Sequence, residues 1–169
     1  MTWITNWIVD ETDQEMMLRV RPLREHWEAR GPGMLTHVQK SCSWLALPAQ
    51  VNVRLVAAKD GGGTIVSANS IEFQAVLFNP LPQLPEVVRL AWLWSCLSVD
   101  QEPSQQLAVI PPILDAAEHV ELARSDATTV QQAVVHWLGL AEFPASQLLD
   151  WWRHQRPHIN SLDQFKFEI

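Results

Sequence analysis

The sequence contains no tyrosine, only two cysteines in 169 residues, and fewer basic than acidic side chains, 12 against 19. Each shortage narrows the field. A formal net charge of −7 opposes non-specific binding to nucleic acid or to an anionic lipid surface, so neither is an expected partner. Two cysteines allow at most one disulfide, and Cys42 and Cys96 both lie in apolar helical stretches. They are expected as buried thiols in a reducing compartment. The longest strongly apolar run, Leu90 to Val99, is about half the roughly 20 residues that a membrane-spanning helix needs. The N-terminal "MTWITNWIVDETDQ" lacks the basic region and long apolar run of a signal peptide. The expected address is the cytoplasm.

What the chain does contain is apolar area. Apolar residues make up 47% of it, nine of them tryptophan. That supply suits one domain spanning residues 1–169 with a single core, and it argues against disorder along most of the length. An indole joins a large apolar ring to one N–H that needs an acceptor, which favours the edges of a core.

Periodicity divides the chain. "RPLREHWEARGPGMLTHVQKSCSWL" reads as helix, break and helix, with Gly31-Pro32-Gly33 as the interruption and Met34, Leu35, Val38, Cys42 and Leu45 at helical spacing. Val51, Val53 and Leu55 alternate with Asn52 and Arg54, and Ile71, Phe73, Ala75 and Leu77 with Glu72 and Gln74, as in strands with one buried face. Lys59-Asp60-Gly61-Gly62-Gly63 between them predicts a turn or loop. It is not a phosphate-binding loop, because Thr64 leads into a strand-like run and not a helix. Beyond Pro85 the patterns are helical: to about Val99, over Gln105–Ala123 with Pro111-Pro112 expected to kink or restart the run, over Thr128–Leu138 with Gly139 as a stop, and from Pro144 to about Arg156. The expected fold class is α+β, a small antiparallel sheet packed on helices and then an all-helical C-terminal half over residues 104–156.

Ile71 to Phe78, then Asn79-Pro80, then Leu84-Pro85-Glu86 form a strand, an Asn-containing turn and a helix start. Over residues 34–100 this order resembles the helix–strand–strand–helix core of zincin-like metallopeptidases of the gluzincin or SprT-like kind. It is also similar to "REHWEARGPG" and "LPEVVRLAWL" segments of an uncharacterised bacterial family, a likeness that implies no activity. In the zincin family this helix carries HExxH, two histidines at i and i+4 that bind one Zn²⁺ and a glutamate that activates water. Here no His, Asp or Glu occurs between Val87 and Val99. The resemblance therefore implies a degenerate core in which no metal and no cofactor is expected.

Two other groups of residues carry candidate chemistry. His154 and His158 stand at i and i+4 but flank Pro157, which works against a shared helix face. Trp151 and Trp152 point about 100° apart on the same helix. One of them is expected to anchor it, and the other, with Arg153, His154 and Arg156, is a candidate contact point for a partner. "LDAAEHVELARSD" sets Asp115 and His119 four apart, with Glu118 beside them. These residues are either the acid–base groups of a hydrolase, completed by a histidine that the fold brings in, or a solvated face opposite Ile113, Leu114, Ala117 and Val120. Ser95-Cys96 lies in an apolar helix without a base, so no nucleophile is assigned. The expectation is a non-catalytic structural or protein-interaction module, with another protein or a second copy as partner. Its contact candidates are the tryptophans of "TWITNWIV" and of the last helix. The alternative is the hydrolase built on Asp115, Glu118 and His119.

Overall fold

The computed structural model describes residues 2–57, 62–76, 78–162, 165, 167 and 169. Four strands form one sheet in the order β1-β2-β4-β3. They are β1 (Ile4–Ile8), β2 (Gln50–Val56), β3 (Gly63–Ser67) and β4 (Ser70–Gln74). Lys59, Asp60 and Gly61 of the expected loop, and Leu77 of the expected second strand, lie outside the described residues. Alternation sets the two faces. Val51, Val53, Leu55, Ile71 and Phe73 are buried beneath helices, while Gln50, Asn52, Arg54, Ser70, Glu72 and Gln74 line the open face.

The α+β class holds, and the described elements after residue 100 are helical. The pairing of the sheet differs from the all-antiparallel expectation. β1 runs parallel to β2 and β2 parallel to β4, so only the β3–β4 hairpin is antiparallel. The cause is connectivity. A long helix carries the chain from the end of β1 back to the start of β2, and β3 serves as the return strand that lets β4 enter parallel to β2.

That helix, α1 (Gln14–Ser41), is the second departure, because no break occurs at Gly31-Pro32-Gly33. It starts two turns before Pro22, where the Asp13 carboxylate accepts the Met16 N–H at 3.0 Å as an N-cap. A buried stripe of Met16, Val20, Leu23, Trp27, Gly31, Met34, Leu35 and Val38 continues across both prolines. Pro22 and Pro32 leave the carbonyls of Leu18 and Glu28 without intrahelical donors, and both of those residues are exposed, so water can replace the donor. Gly31 is required by packing: a Cβ there would lie 2.5 Å from the Trp27 ring.

The remaining helices are α2 (Glu86–Cys96), α3 (Pro103–His119), α4 (Ala127–Leu138) and α5 (Ala145–Gln155), with a 3-10 turn at Arg156–His158. α3 passes unbroken through Pro111-Pro112 and stops where Glu121 turns left-handed (φ 60°), its next residue Leu122 donating back to the Ala117 carbonyl at 2.8 Å. Gly139 ends α4 in the same conformation, as its position predicts. α1 and α2 pack on the sheet, α3 on α1 and α2, and α4 and α5 on α3. The tryptophans sit deeper than expected. Trp27, Trp92, Trp94, Trp137 and Trp152 are buried, and four of these indoles donate to an identified acceptor: Thr5 Oγ, the Gln106 and Pro48 carbonyls, and Asp115. Among the described residues no helix is long and apolar enough to cross a membrane.

Candidate functional site

The fold brings the two groups of candidate residues together. On α3, Asp115 Oδ1 accepts the Ser125 hydroxyl at 2.5 Å, while Oδ2 accepts the Trp152 indole N–H at 2.7 Å and Arg156 Nη1 at 3.4 Å. Glu118 accepts the Ser125 backbone N–H at 3.3 Å, and Arg153 Nη2 donates to the Ser125 carbonyl at 3.3 Å. One carboxylate with three donors from α5, the turn after it and the loop after α3 is a joint between these elements. Trp152 is 1% exposed, so it anchors α5 to the core. Trp151 is half-buried and packs edge-on against Phe165 with centroids 4.6 Å apart, and it also meets Phe167. Neither indole of the pair stands out as a free contact point. His154 Nδ1 lies 2.7 Å from the Asp150 carbonyl within its own helix, and exposed His158 falls in the 3-10 turn.

The histidine that the fold delivers to the acidic helix is His37 of α1, whose ring lies 4.5 Å from that of His119. Burial pulls the His37 pKa down, His119 adds to the fall, and Asp115 opposes it. Among the described residues no hydrogen bond joins Asp115 to either ring, and its carboxylate instead holds Ser125, Trp152 and Arg156. Nearby Cys42 has its thiol pushed up to about 12, chiefly by burial, and Cys96 is pushed well above its usual range for the same reason. Both cysteines are free and buried. Among the described residues no three His, Cys, Asp or Glu side chains form a group that could hold a metal ion.

The helix that the zincin resemblance singles out, α2, is buried at every position from Val87 to Cys96. Its one charged residue in that run, Arg89, donates to Glu86, lies 4.7 Å over the Phe73 ring and presses on the backbone of Gly62. Burial raises the Glu86 pKa and lowers that of Arg89, each opposed by its partner. A cleft of about 390 Å³ opens beside this pair, past the end of β4, lined in part by Pro22, His26, Phe78 and Pro85. Burial lowers the His26 pKa, and Arg30 adds to the effect. Asn79 is committed to the turn, donating to the carbonyls of Leu81 and Leu84. The cleft thus offers a largely apolar wall and Glu86, which already accepts from Arg89. In the sequence Arg89 and Glu86 are legible only as isolated charges in an apolar run.

The remaining feature is a surface. β1 is an edge strand, and its Ile4 N–H bonds to the Ala49 carbonyl at 2.8 Å. With the parallel register Ile4↔Gln50, Asn6↔Asn52 and Ile8↔Arg54, this turns the backbone groups of Ile4, Asn6 and Ile8 toward β2 and those of Thr5 and Trp7 outward. Ile4 and Ile8 are 46% and 39% exposed on the open face, beside the polar Gln50, Asn52 and Arg54 of β2. On the helix side, a groove of about 640 Å³ runs along the first half of α1, walled by Met17, Leu18, Arg21, Arg24, Glu25 and Glu28. Arg24 lies 5.9 Å over the Trp7 ring and ties groove to strand. The exposed apolar residues of the N-terminal segment are thus its isoleucines, whereas Trp3 and Trp7 are half-buried. The chain matches no protein-family model, no curated protein and no solved structure.

Proposed function

We propose that this protein is a non-catalytic interaction module whose contact surface is the outward edge of β1 together with the neighbouring groove on α1. The carrying observation is the contrast between the two sheet edges. β3 is irregular between Ile65 and Ser67, so its edge is bent, and Gly63 packs close to Leu93 of α2 on the helix side of the sheet. β1 has no bulge, proline or lysine, and apolar side chains flank its outward amides. Natural sheets blunt such edges unless a partner strand uses them. The internal bonding of Asp115, Arg153 and Arg156 supports the same reading, because it assigns the polar candidates to a joint between helices. On this proposal α2 is the counterpart of a metal-binding zincin helix that has become a core element.

A photo-reactive amino acid at Ile8 or Leu18, introduced in cells producing the protein, tests this. Protein adducts are expected at both positions and not at Glu142, an exposed residue away from β1 and α1. Equal yield at all three positions, or none at Ile8 and Leu18, overturns the proposal. The hydrolase reading keeps one specific support, the imidazole pair His37–His119 beside Asp115 and Glu118. It requires a hydrolytic activity that His37→Gln and His119→Gln each abolish while the protein remains folded.

A further inference from the structure

Resting on that reading of the β1 edge, we infer that the strand it accepts is β1 of a second copy, paired antiparallel about a two-fold axis through Asn6. The backbone sets the possible registers. Thr5 and Trp7 have outward N–H and C=O groups, so they must form the hydrogen-bonded pairs. Pairing Thr5 with Trp7 of the other copy, and the reverse, satisfies all four groups on each side. It also sets Ile4 directly opposite the second copy's Ile8, twice, on the same open face, where both are now exposed. Asn6 falls on the axis opposite itself. Its Nδ2 already donates to Asn52 at 3.0 Å, so its own amide oxygen is positioned to accept from the second Asn6 and extend the ladder across the axis. Shifting the register by two residues sets Ile4 directly opposite Asn6 or Asp10 of the second copy in place of Ile8.

The helix side agrees. A two-fold perpendicular to the sheet brings both α1 helices to one face, and Arg24, which lines the groove, reaches over Trp7 on the shared edge strand. Each groove carries both signs, Arg21 and Arg24 with Glu11, Glu25 and Glu28, around Met17 and Leu18. A surface that meets its own image needs this mixture, and more so in a chain of net charge −7, where a purely acidic face would repel its copy. The product is a continuous eight-stranded sheet in which the unprotected edges cover each other.

Sedimentation velocity and cysteine cross-linking test the proposal. The wild-type chain is expected to sediment as a concentration-dependent dimer. Ile8→Lys, with Ile4→Lys as a second variant, is expected to weaken it roughly tenfold or more while circular dichroism stays unchanged. Asn6→Cys places two thiols on a non-hydrogen-bonded antiparallel pair, about 4.5 Å between Cα atoms, a separation a disulfide accepts. Mild oxidation is expected to cross-link it, whereas Ile4→Cys alone stays monomeric on a denaturing gel and a mixture of Ile4→Cys with Ile8→Cys cross-links. Native Cys42 and Cys96 are buried and do not interfere. A wild-type monomer at every concentration, or a dimer that Ile8→Lys leaves intact and Asn6→Cys does not trap, overturns self-pairing. If self-pairing fails while adducts to another protein still form at Ile8, the interaction-module reading survives. If both fail, neither stands.

Discussion

Replacing Asp115 with alanine separates a joint from an active site. The carboxylate holds three donors, and their burial sets what each loses. Trp152 is 1% exposed, so its N–H would be left without an acceptor in a dry site, a cost of about 1–3 kcal/mol. The Ser125 hydroxyl, on a residue 8% exposed, loses a charged acceptor, adding about 1–2 kcal/mol. Arg156 is 59% exposed, and its 3.4 Å contact contributes at most about 1 kcal/mol. Asp115→Ala is therefore expected to destabilise the fold by about 2–6 kcal/mol, and Arg156→Ala by under about 1 kcal/mol. Trp152→Phe, which removes the indole donor, should cost less in the Asp115→Ala background than alone, with a coupling of about 1–2 kcal/mol. Urea denaturation followed by tryptophan fluorescence measures all four proteins. A cost below about 1 kcal/mol for Asp115→Ala, or no coupling to Trp152, refutes the structural assignment and returns Asp115 to the list of residues free for chemistry.

Further expectations concern the core and its titrating groups. Gly31→Ala should destabilise by about 1–3 kcal/mol, because the new Cβ meets the Trp27 ring at 2.5 Å. Gly33→Ala, which meets only a Val120 methyl at 3.3 Å, should be near neutral, and thermal unfolding distinguishes the two. Glu86→Leu leaves Arg89 buried without its identified counter-ion and should cost about 3 kcal/mol or more by denaturant titration, whereas the double change Glu86→Leu/Arg89→Met should recover most of that. His26 and His37 both have pKa values held below the ordinary 6.5 by burial. The unfolded chain then binds more protons, so stability should fall as the pH drops through 6.5 toward the folded-state values, and His37→Gln should flatten that slope in melts across the range. With its thiol pushed up to about 12, Cys42 should resist alkylation at neutral pH in the native protein and react only as fast as the chain opens.

Period and punctuation made most of the helices and the buried strands legible. Val51, Val53, Leu55, Ile71 and Phe73 alternate so regularly that their burial follows, and Gly139 marks the end of α4 through its left-handed conformation. Strand order did not follow, because parallel or antiparallel pairing depends on where a connection returns, and nothing local in β2 or β4 records it. Gly31-Pro32-Gly33 misled for a physical reason: local propensity favours a break, but the buried stripe from Trp27 to Met34 and the room Gly31 gives the Trp27 ring outweigh it. Strand β1 carries its signal in the alternation of Thr5 and Trp7 with Ile4, Asn6 and Ile8, weakened because apolar residues occur on both of its faces. At the candidate site, the i, i+4 spacing of Asp115 and His119 was visible. That Trp152, Arg156 and Ser125 would converge on Asp115, and His37 on His119, depends on how α1, α3 and α5 pack.

Residue-resolved amide exchange along β1 tests the central claim most directly. In an isolated chain Ile4, Asn6 and Ile8 donate to β2 while Thr5 and Trp7 point to solvent, so protection should alternate from residue to residue. As the protein is concentrated, the Thr5 and Trp7 amides should slow until the alternation disappears, with Ile8→Lys restoring it. Thr5 and Trp7 amides that exchange rapidly at every concentration, alone and in the presence of the proteins captured at Ile8, would contradict the account.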